Sequence, residues 1–200
     1  MAISAALIKQ LRAATGAGVL DCKKALEAHA GDFDQARAWL TERGLALAAK
    51  KAGRAANEGR VEVYVHPGNR VAVMVEVNCE TDFVAKTDAF QSLAHEVALH
   101  VAFANPRYLD AADVPAGVAA EAEAHLRERA VADGKPPHIV DKIVAGQMES
   151  FYQENCLLRQ PFIKDEKVTI DDLLKQTVAT IGENVVIRRF ARFELGENAA

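Results

Sequence analysis

The chain contains 200 residues, of which 50% are hydrophobic and 26% are charged, and its formal net charge is −4. This is the composition of a globular protein with one or two small domains. The acidic balance argues against direct binding of nucleic acid, which requires a dense basic face. Residues 1–54 nevertheless hold nine Lys or Arg against five Asp or Glu, so this end could meet an acidic protein surface.

The N-terminus and the cysteines indicate the cellular compartment. Residues 1–6 lack a basic start followed by an apolar run, and no stretch approaches the ~18 apolar residues of a membrane helix, so we expect a soluble, cytoplasmic protein. The cysteines are widely spaced without a CxxC pair, which favours reduced thiols. Cys22 could be either an activated thiol or a half-buried residue. Cys79 is expected in the core, and Cys156 is the thiol best placed to meet a second chain.

The first predicted elements are three short helices. Ser4 is a good N-cap, and apolar residues then recur at helical spacing until the glycines at 16 and 18. A second helix follows to Gly31, and a third begins at Asp32, with Gln35 placed for a capping box, and ends before Gly44. Residues 1–45 therefore read as a compact three-helix module. Residues 46–59 are either a frayed helix or a linker.

An alternating pattern then indicates a β-hairpin with one apolar face. Val61, Val63 and Val65 alternate with polar residues, residues 66–69 supply a turn, and four further valines alternate between 71 and 77. Because a lone hairpin is unstable, it needs another strand and a helical cover. The expected cover is a helix from Asp88, with its apolar positions at Phe90, Leu93, Ala94, Val97, Ala98 and Val101. A C-terminal helix from Thr169 to Gly182 leads into the third strand, residues 185–195.

A long helical pair lies within residues 115–156. It consists of one helix at about 115–133, a break at Gly134-Lys135-Pro136-Pro137, and a second helix from His138 to about Asn155. The short connection predicts an antiparallel two-helix coiled-coil arm. Residues 60–200 thus form an α+β core domain, in which helices cover a small antiparallel sheet and the arm projects from it.

Two motifs that suggest an enzyme fail on spacing. His95 and His100 resemble a zinc-binding HExxH pair with one residue too many, which turns the two rings ~140° apart on a helix. Gly16-Ala17-Gly18 follows a helix instead of a strand and lacks the third glycine of a dinucleotide-binding fingerprint. No phosphate-binding loop and no nucleophile elbow is present. We therefore expect no catalytic centre, no metal and no cofactor, and a protein that acts by binding another protein.

The unusual segment is Asn78 to Lys86, which is expected to be a loop between strand and helix. Spacing alone slightly favours Phe83 in the core and Asp82 as a helix cap. The alternative is an exposed acid beside an exposed aromatic ring, which is typical of a probe that enters a partner's pocket.

The run from Thr15 to Leu26, together with Asn78 to Lys86, closely resembles bacterial elongation factor Ts. The resemblance covers nearly the whole chain in order. It implies a guanine-nucleotide exchange factor that releases GDP from elongation factor Tu during translation. It further implies that Thr81, Asp82, Phe83 and Val84 disturb the magnesium and phosphate site of that partner.

The resemblance also implies that the N-terminal module is of the ubiquitin-associated (UBA) type, and it implies where the partner docks. The family's N-terminal module contacts the partner's nucleotide domain, which transfers to this chain as Leu11, Arg12, Val19, Leu20, Asp21 and Lys23. His100 matches a segment that touches the partner's distal barrel domain. Only one of the two core halves of longer members is present, and short members pair into homodimers. We therefore expect a symmetric dimer built on sheet surfaces or on the Cys156 side.

Two other classes of function stay open at this stage. A helical adaptor would bind peptides or other proteins without exchange activity, because three short helices recur in such binders. A thiol oxidoreductase is the third alternative, and the absence of a CxxC pair argues against it.

Overall fold

The computed structural model describes residues 3–197. Within this range the strands are β1 (Glu58–Val65), β2 (Val71–Cys79), β3 (Pro161–Phe162), β4 (Asp165–Thr169) and β5 (Val185–Glu194). The helices are α1 (Ala5–Thr15), α2 (Val19–Ala28), α3 (Phe33–Lys51), α4 (Asp82–Ala85), α5 (Asp88–Ala104), α6 (Ala116–Ala132), α7 (Pro137–Asn155) and α8 (Ile170–Ile181). None of these helices is both long enough and apolar enough to cross a membrane. The predicted α+β class is confirmed.

The chain divides into two compact units. One comprises the residues up to 62 with 75–96 and 172–188, and the other comprises 63–74, 97–171 and the residues from 189. The division predicted from the sequence, into a docking module (1–45), a linker (46–59) and a core domain (60–200), stays a prediction.

The first three helices surround a small apolar core. Ser4 begins α1 by accepting a hydrogen bond from the Leu7 N–H, and Asp32 begins α3 by accepting one from Gln35. The buried residues of this core are Leu11, Cys22, Ala25, Leu26, Ala36 and Leu40. The predicted three-helix module is therefore confirmed, while its likeness to UBA domains in detail stays a prediction.

Helix α3 is longer than predicted. It passes through Gly44 to Lys51, so residues 46–51 are helical, which was one of the two alternatives for that segment. A Cβ at position 44 would lie 2.9 Å from the Cβ of Ala179 on α8. Gly44 therefore does not end the helix; it lets α8 approach the helix closely. At the end of α3, the Lys51 Nζ donates a hydrogen bond to the Gly182 carbonyl.

The three-stranded sheet has the order β1-β2-β5. The predicted hairpin is confirmed, with the His66 N–H donating to the Val71 carbonyl at 2.9 Å. On β2 the alternating residues Val73, Val75, Val77 and Cys79 are buried. All six apolar positions predicted for α5 are also buried, and β5 provides the predicted third strand.

The predicted burial of the β1 valines is wrong. Val61, Val63 and Val65 are about half exposed, at 57%, 57% and 49%. The polar residues between them lie on the less exposed side of the strand. Glu62 has partners there, because it pairs with Arg60 at 2.7 Å and with the His95 ring at 3.2 Å. The apolar side of β1 therefore faces outward.

The predicted two-helix arm is also confirmed. Helices α6 and α7 are antiparallel, since only four residues, 133–136, connect them. Ala130 packs with Val140 and Val144, and Arg127 pairs with Asp141. After the arm, β3 and β4 form a small antiparallel pair that the sequence pattern did not indicate.

Candidate functional site

The segment after β2 makes one sharp turn of helix instead of the predicted loop. Strand β2 ends at Cys79, and α4 contains only four residues. Thr81 is the N-cap of α4, and its hydroxyl accepts a hydrogen bond from the Val84 N–H at 3.4 Å. The interpretation of Asp82 as the cap is therefore wrong. The residues 82–86 that this turn presents are called the tip below.

Phe83 projects from the tip into solvent. Its side chain is 78% exposed, so the interpretation that spacing slightly favoured, with this ring in the core, is wrong. Cys79 takes the last buried position of the strand, and the cap at Thr81 then turns the following residues outward. Val84 is half-buried and lies on the inner side of the turn.

Two opposite charges flank the exposed ring. The Lys86 Nζ lies 2.6 Å from the Asp82 Oδ2 and 5.9 Å from the centre of the Phe83 ring. The hydrogen bond from Lys86 lowers the pKa of the Asp82 carboxyl, and the same bond raises the pKa of the Lys86 ammonium. At neutral pH the tip therefore presents an ionised carboxylate next to an aromatic face.

The tip is anchored by residues that sequence reasoning missed. The Glu183 carboxylate accepts hydrogen bonds from the Thr81 N–H at 3.0 Å and from the Thr81 hydroxyl at 2.8 Å. In the opposite direction, the Asn184 N–H donates to the Glu80 carboxylate at 2.7 Å. No local pattern could indicate these pairs, because about 100 positions of sequence separate their members.

The docking residues that the family resemblance assigned to α1 and α2 lie partly on the protein surface and partly in the three-helix core. Val19 and Leu20 are 52% and 72% exposed, Arg12 and Lys23 are also exposed, and Asp21 is half-buried. Leu11, in contrast, is fully buried in the three-helix core. Its side chain holds the module together in the free chain, and its assignment as a partner contact stays a prediction.

His100 also lies in the core of the free chain, and its assignment as a partner contact stays a prediction. Its side chain is fully buried, its Nε2 is 2.9 Å from the Gln160 Oε1, and its ring lies 6.2 Å from that of Phe162. Burial lowers the pKa of this imidazole, an effect that the Gln160 hydrogen bond partly opposes. His95 lies on the exposed side of the same helix. Within residues 3–197, no group of three or more His, Cys, Asp or Glu side chains is arranged to hold a metal ion.

All three cysteines are fully buried free thiols. Cys22 is thus a core residue instead of a half-buried one, and Cys79 lies in the core as predicted. Cys156 is buried between the arm and the following turn, so the expectation that its thiol meets a second chain is wrong for this conformation. Burial raises the pKa of both Cys79 and Cys156.

Comparisons with known proteins agree with this arrangement. The profile of the family "Elongation factor TS" matches residues 34–197. Elongation factor Ts of Herpetosiphon aurantiacus is 56% identical over 99% of this chain and 100% of its own length. Elongation factor Ts of a Thermoanaerobacter species is 54% identical over 98% of this chain and 96% of its own. That of Caldanaerobacter subterraneus is 53% identical over 98% of both chains. An exposed acidic-aromatic tip, a three-helix module and matches of this extent lead to one assignment: the chain belongs to the elongation factor Ts family.

Proposed function

We propose that this protein is a guanine-nucleotide exchange factor that promotes GDP release from elongation factor Tu during translation elongation. Family membership supports this activity in general terms. The observation that carries the mechanism is the exposure of Phe83, at 78%, beside the ionised Asp82. A large aromatic side chain left in water on a short turn is characteristic of an anchor that becomes buried in a partner.

The tip acts by entering the partner's nucleotide site. Phe83 occupies an apolar pocket there, and the Asp82 carboxylate competes with phosphate and nearby acceptors for magnesium and for hydrogen-bond donors. No proton transfer is required, because the factor needs only to bind best to the conformation that holds GDP weakly. By linkage, GDP weakens the factor by the same ratio, so the ternary complex is transient and incoming GTP completes the exchange.

The exposed apolar pair Val19 and Leu20 provides a second contact. Both residues lie in the first turn of α2, Lys23 follows one turn later on the same helix, and Arg12 is an exposed cation of α1. This combination suits an acidic surface with an apolar centre on the partner's nucleotide domain. Docking there holds the factor on its partner while the tip enters the nucleotide site.

The protein acts as a symmetric homodimer. The exposed valines of β1 are the support for this proposal, because three apolar side chains alternate along the outward side of an edge strand. Light scattering should give about twice the monomer mass of 21.6 kDa, and Val63→Lys should shift the protein toward monomer. A monomeric mass for the wild-type protein at working concentration would refute the dimer.

A fluorescence assay tests the exchange activity. Elongation factor Tu carrying fluorescent GDP is mixed with excess GTP, with and without this protein. Wild-type protein should accelerate GDP release, whereas Phe83→Ala and Asp82→Ala should slow the accelerated reaction with no change in fold. Phe103→Ala is the matched control, because that ring is 79% exposed outside the tip. Binding without faster release would favour the helical adaptor instead.

A further inference from the structure

The orientation of the tip is fixed by one carboxylate in the connection between α8 and β5. Both oxygens of Glu183 are occupied by donors of a single residue, since Oε2 accepts from the Thr81 N–H and Oε1 accepts from the Thr81 hydroxyl. The same hydroxyl accepts the Val84 N–H of α4. A continuous chain of hydrogen bonds therefore runs from Glu183 through Thr81 into the first turn of the tip.

A reciprocal set of bonds ties the neighbouring residues together. The Asn184 N–H donates to Glu80, and this bond is the main cause of a lowered Glu80 pKa. The Asn184 side-chain amide, which is almost fully buried, donates to the Arg54 carbonyl at 2.7 Å and to the Ala52 carbonyl at 3.4 Å. Residues 183–184 are therefore held in place from the end of α3, and they in turn hold residues 80–81.

Two side chains of the next segment also bond to the end of the tip, since the Thr87 hydroxyl donates to the Val84 carbonyl at 2.8 Å and the Gln91 amide donates to the Lys86 carbonyl at 3.1 Å, whereas Glu183 holds its start. A helix of four residues is far too short to be stable alone, and the side chains of Asp82 and Phe83 are exposed. An anchor that is ordered before binding avoids the entropy cost of ordering it in the complex. A small displacement of Phe83 or Asp82 in the partner's nucleotide site should also reduce the rate of GDP release steeply.

We infer that Glu183 is a positioning residue for nucleotide exchange, and that it acts by holding Thr81 so that Phe83 and Asp82 meet the partner in one orientation. This inference rests on the proposed exchange function. Glu183 itself touches neither nucleotide nor magnesium. Its role is distinct from that of the tip residues, and its effect must pass through them.

The experiment measures the GDP-release rate at several factor concentrations for Glu183→Ala, Glu183→Gln and Thr81→Val. Glu166→Ala is the charge-matched control, since Glu166 is an exposed carboxylate of β4. Hydrogen exchange of the Thr81 amide, measured on the free protein, reports the anchor without any partner. Glu183→Ala should lower the second-order exchange efficiency roughly ten- to hundredfold and should lose protection at Thr81. Glu183→Gln, which keeps one acceptor oxygen, should lie between alanine and wild type.

A double variant separates positioning from general stability. If Glu183 acts through the tip, Glu183→Ala should add little in the Phe83→Ala background, because coupled residues are not additive. Full additivity, or a folded Glu183→Ala with wild-type exchange, would overturn the inference. Should Glu183→Ala fail to fold, Thr81→Val applies the same test, and a wild-type rate for it would equally overturn the inference. Phe83→Ala with an undiminished rate would instead refute the proposed function itself, so the two failures are distinguishable.

Discussion

Replacing Gly16 by alanine should destabilise the N-terminal module by an amount that the structure allows us to calculate. Gly16 ends α1 with φ of 68° and donates its N–H to the Arg12 carbonyl. A left-handed conformation costs a residue with a Cβ about 1–2 kcal/mol. That Cβ would also lie 2.9 Å from the Thr180 hydroxyl oxygen. Moving this hydroxyl away from the Gln176 carbonyl to which it donates costs about 1 kcal/mol.

One effect opposes these two costs. Alanine has fewer unfolded conformations than glycine, which returns about 0.4–1 kcal/mol. The net loss in the free energy of unfolding is then about 1–3 kcal/mol. Urea unfolding followed by the fluorescence of Trp39 measures this loss, because Trp39 is the only tryptophan and packs against the module's core.

The Thr180→Ala background provides the control for the steric part. Removing that hydroxyl should reduce the cost of Gly16→Ala by about 1 kcal/mol, while the cost of the left-handed backbone remains. An unchanged unfolding midpoint for Gly16→Ala would refute the reasoning. An equal cost in both backgrounds would refute its steric component.

Three further predictions concern stability, thiol reactivity and pH. Gly146→Ala should raise the free energy of unfolding by about 0.5–1 kcal/mol, since a Cβ at this position inside α7 meets nothing within 4 Å; a lower urea midpoint would contradict this. Cys22, Cys79 and Cys156 should react slowly with a thiol reagent in the native protein and rapidly in denaturant, because all three are buried; one fast thiol in the native state would be the contrary result. Burial lowers the pKa of His100 in the folded protein, whereas the same imidazole in the unfolded chain has its ordinary pKa of about 6.5. Between these two pKa values the unfolded chain binds more protons than the folded one. The free energy of unfolding should therefore fall as the pH drops from about 6.5 toward the lowered native pKa. An NMR titration in which His100 titrates at or above the ordinary value would contradict the last prediction.

Periodicity in the sequence was sufficient to predict the helices and strands that make the same packing contact at every turn or at every second residue. The helical spacing of Phe90, Val97 and Val101 predicted the buried face of α5, because a helix on a sheet repeats the same contact at every turn. The alternation in β2 predicted its buried valines for the same reason. The identical alternation in β1 led to the wrong side, since the pairing of Glu62 with Arg60 and His95 makes the polar side the inner one. Periodicity identifies two faces and does not say which one is covered.

The site was less predictable because its geometry depends on long-range contacts. The Thr81 cap that turns Phe83 outward is bound by Glu183, a residue about 100 positions away that no local pattern contains. Leu11 and His100 were assigned to the partner surface by resemblance alone. A resemblance transfers positions along the chain without their burial, so two core residues were included among the contacts.

The most direct measurement of the central claim is a map of what the Phe83 side chain touches in the complex with elongation factor Tu. A photoreactive phenylalanine analogue at position 83 should cross-link to segments that surround the nucleotide's phosphates and magnesium, and added GDP should suppress the product. The same analogue at position 103, an equally exposed ring, should not cross-link to those segments. Cross-links from position 83 that lie away from the nucleotide site, or that GDP leaves unchanged, would contradict the account.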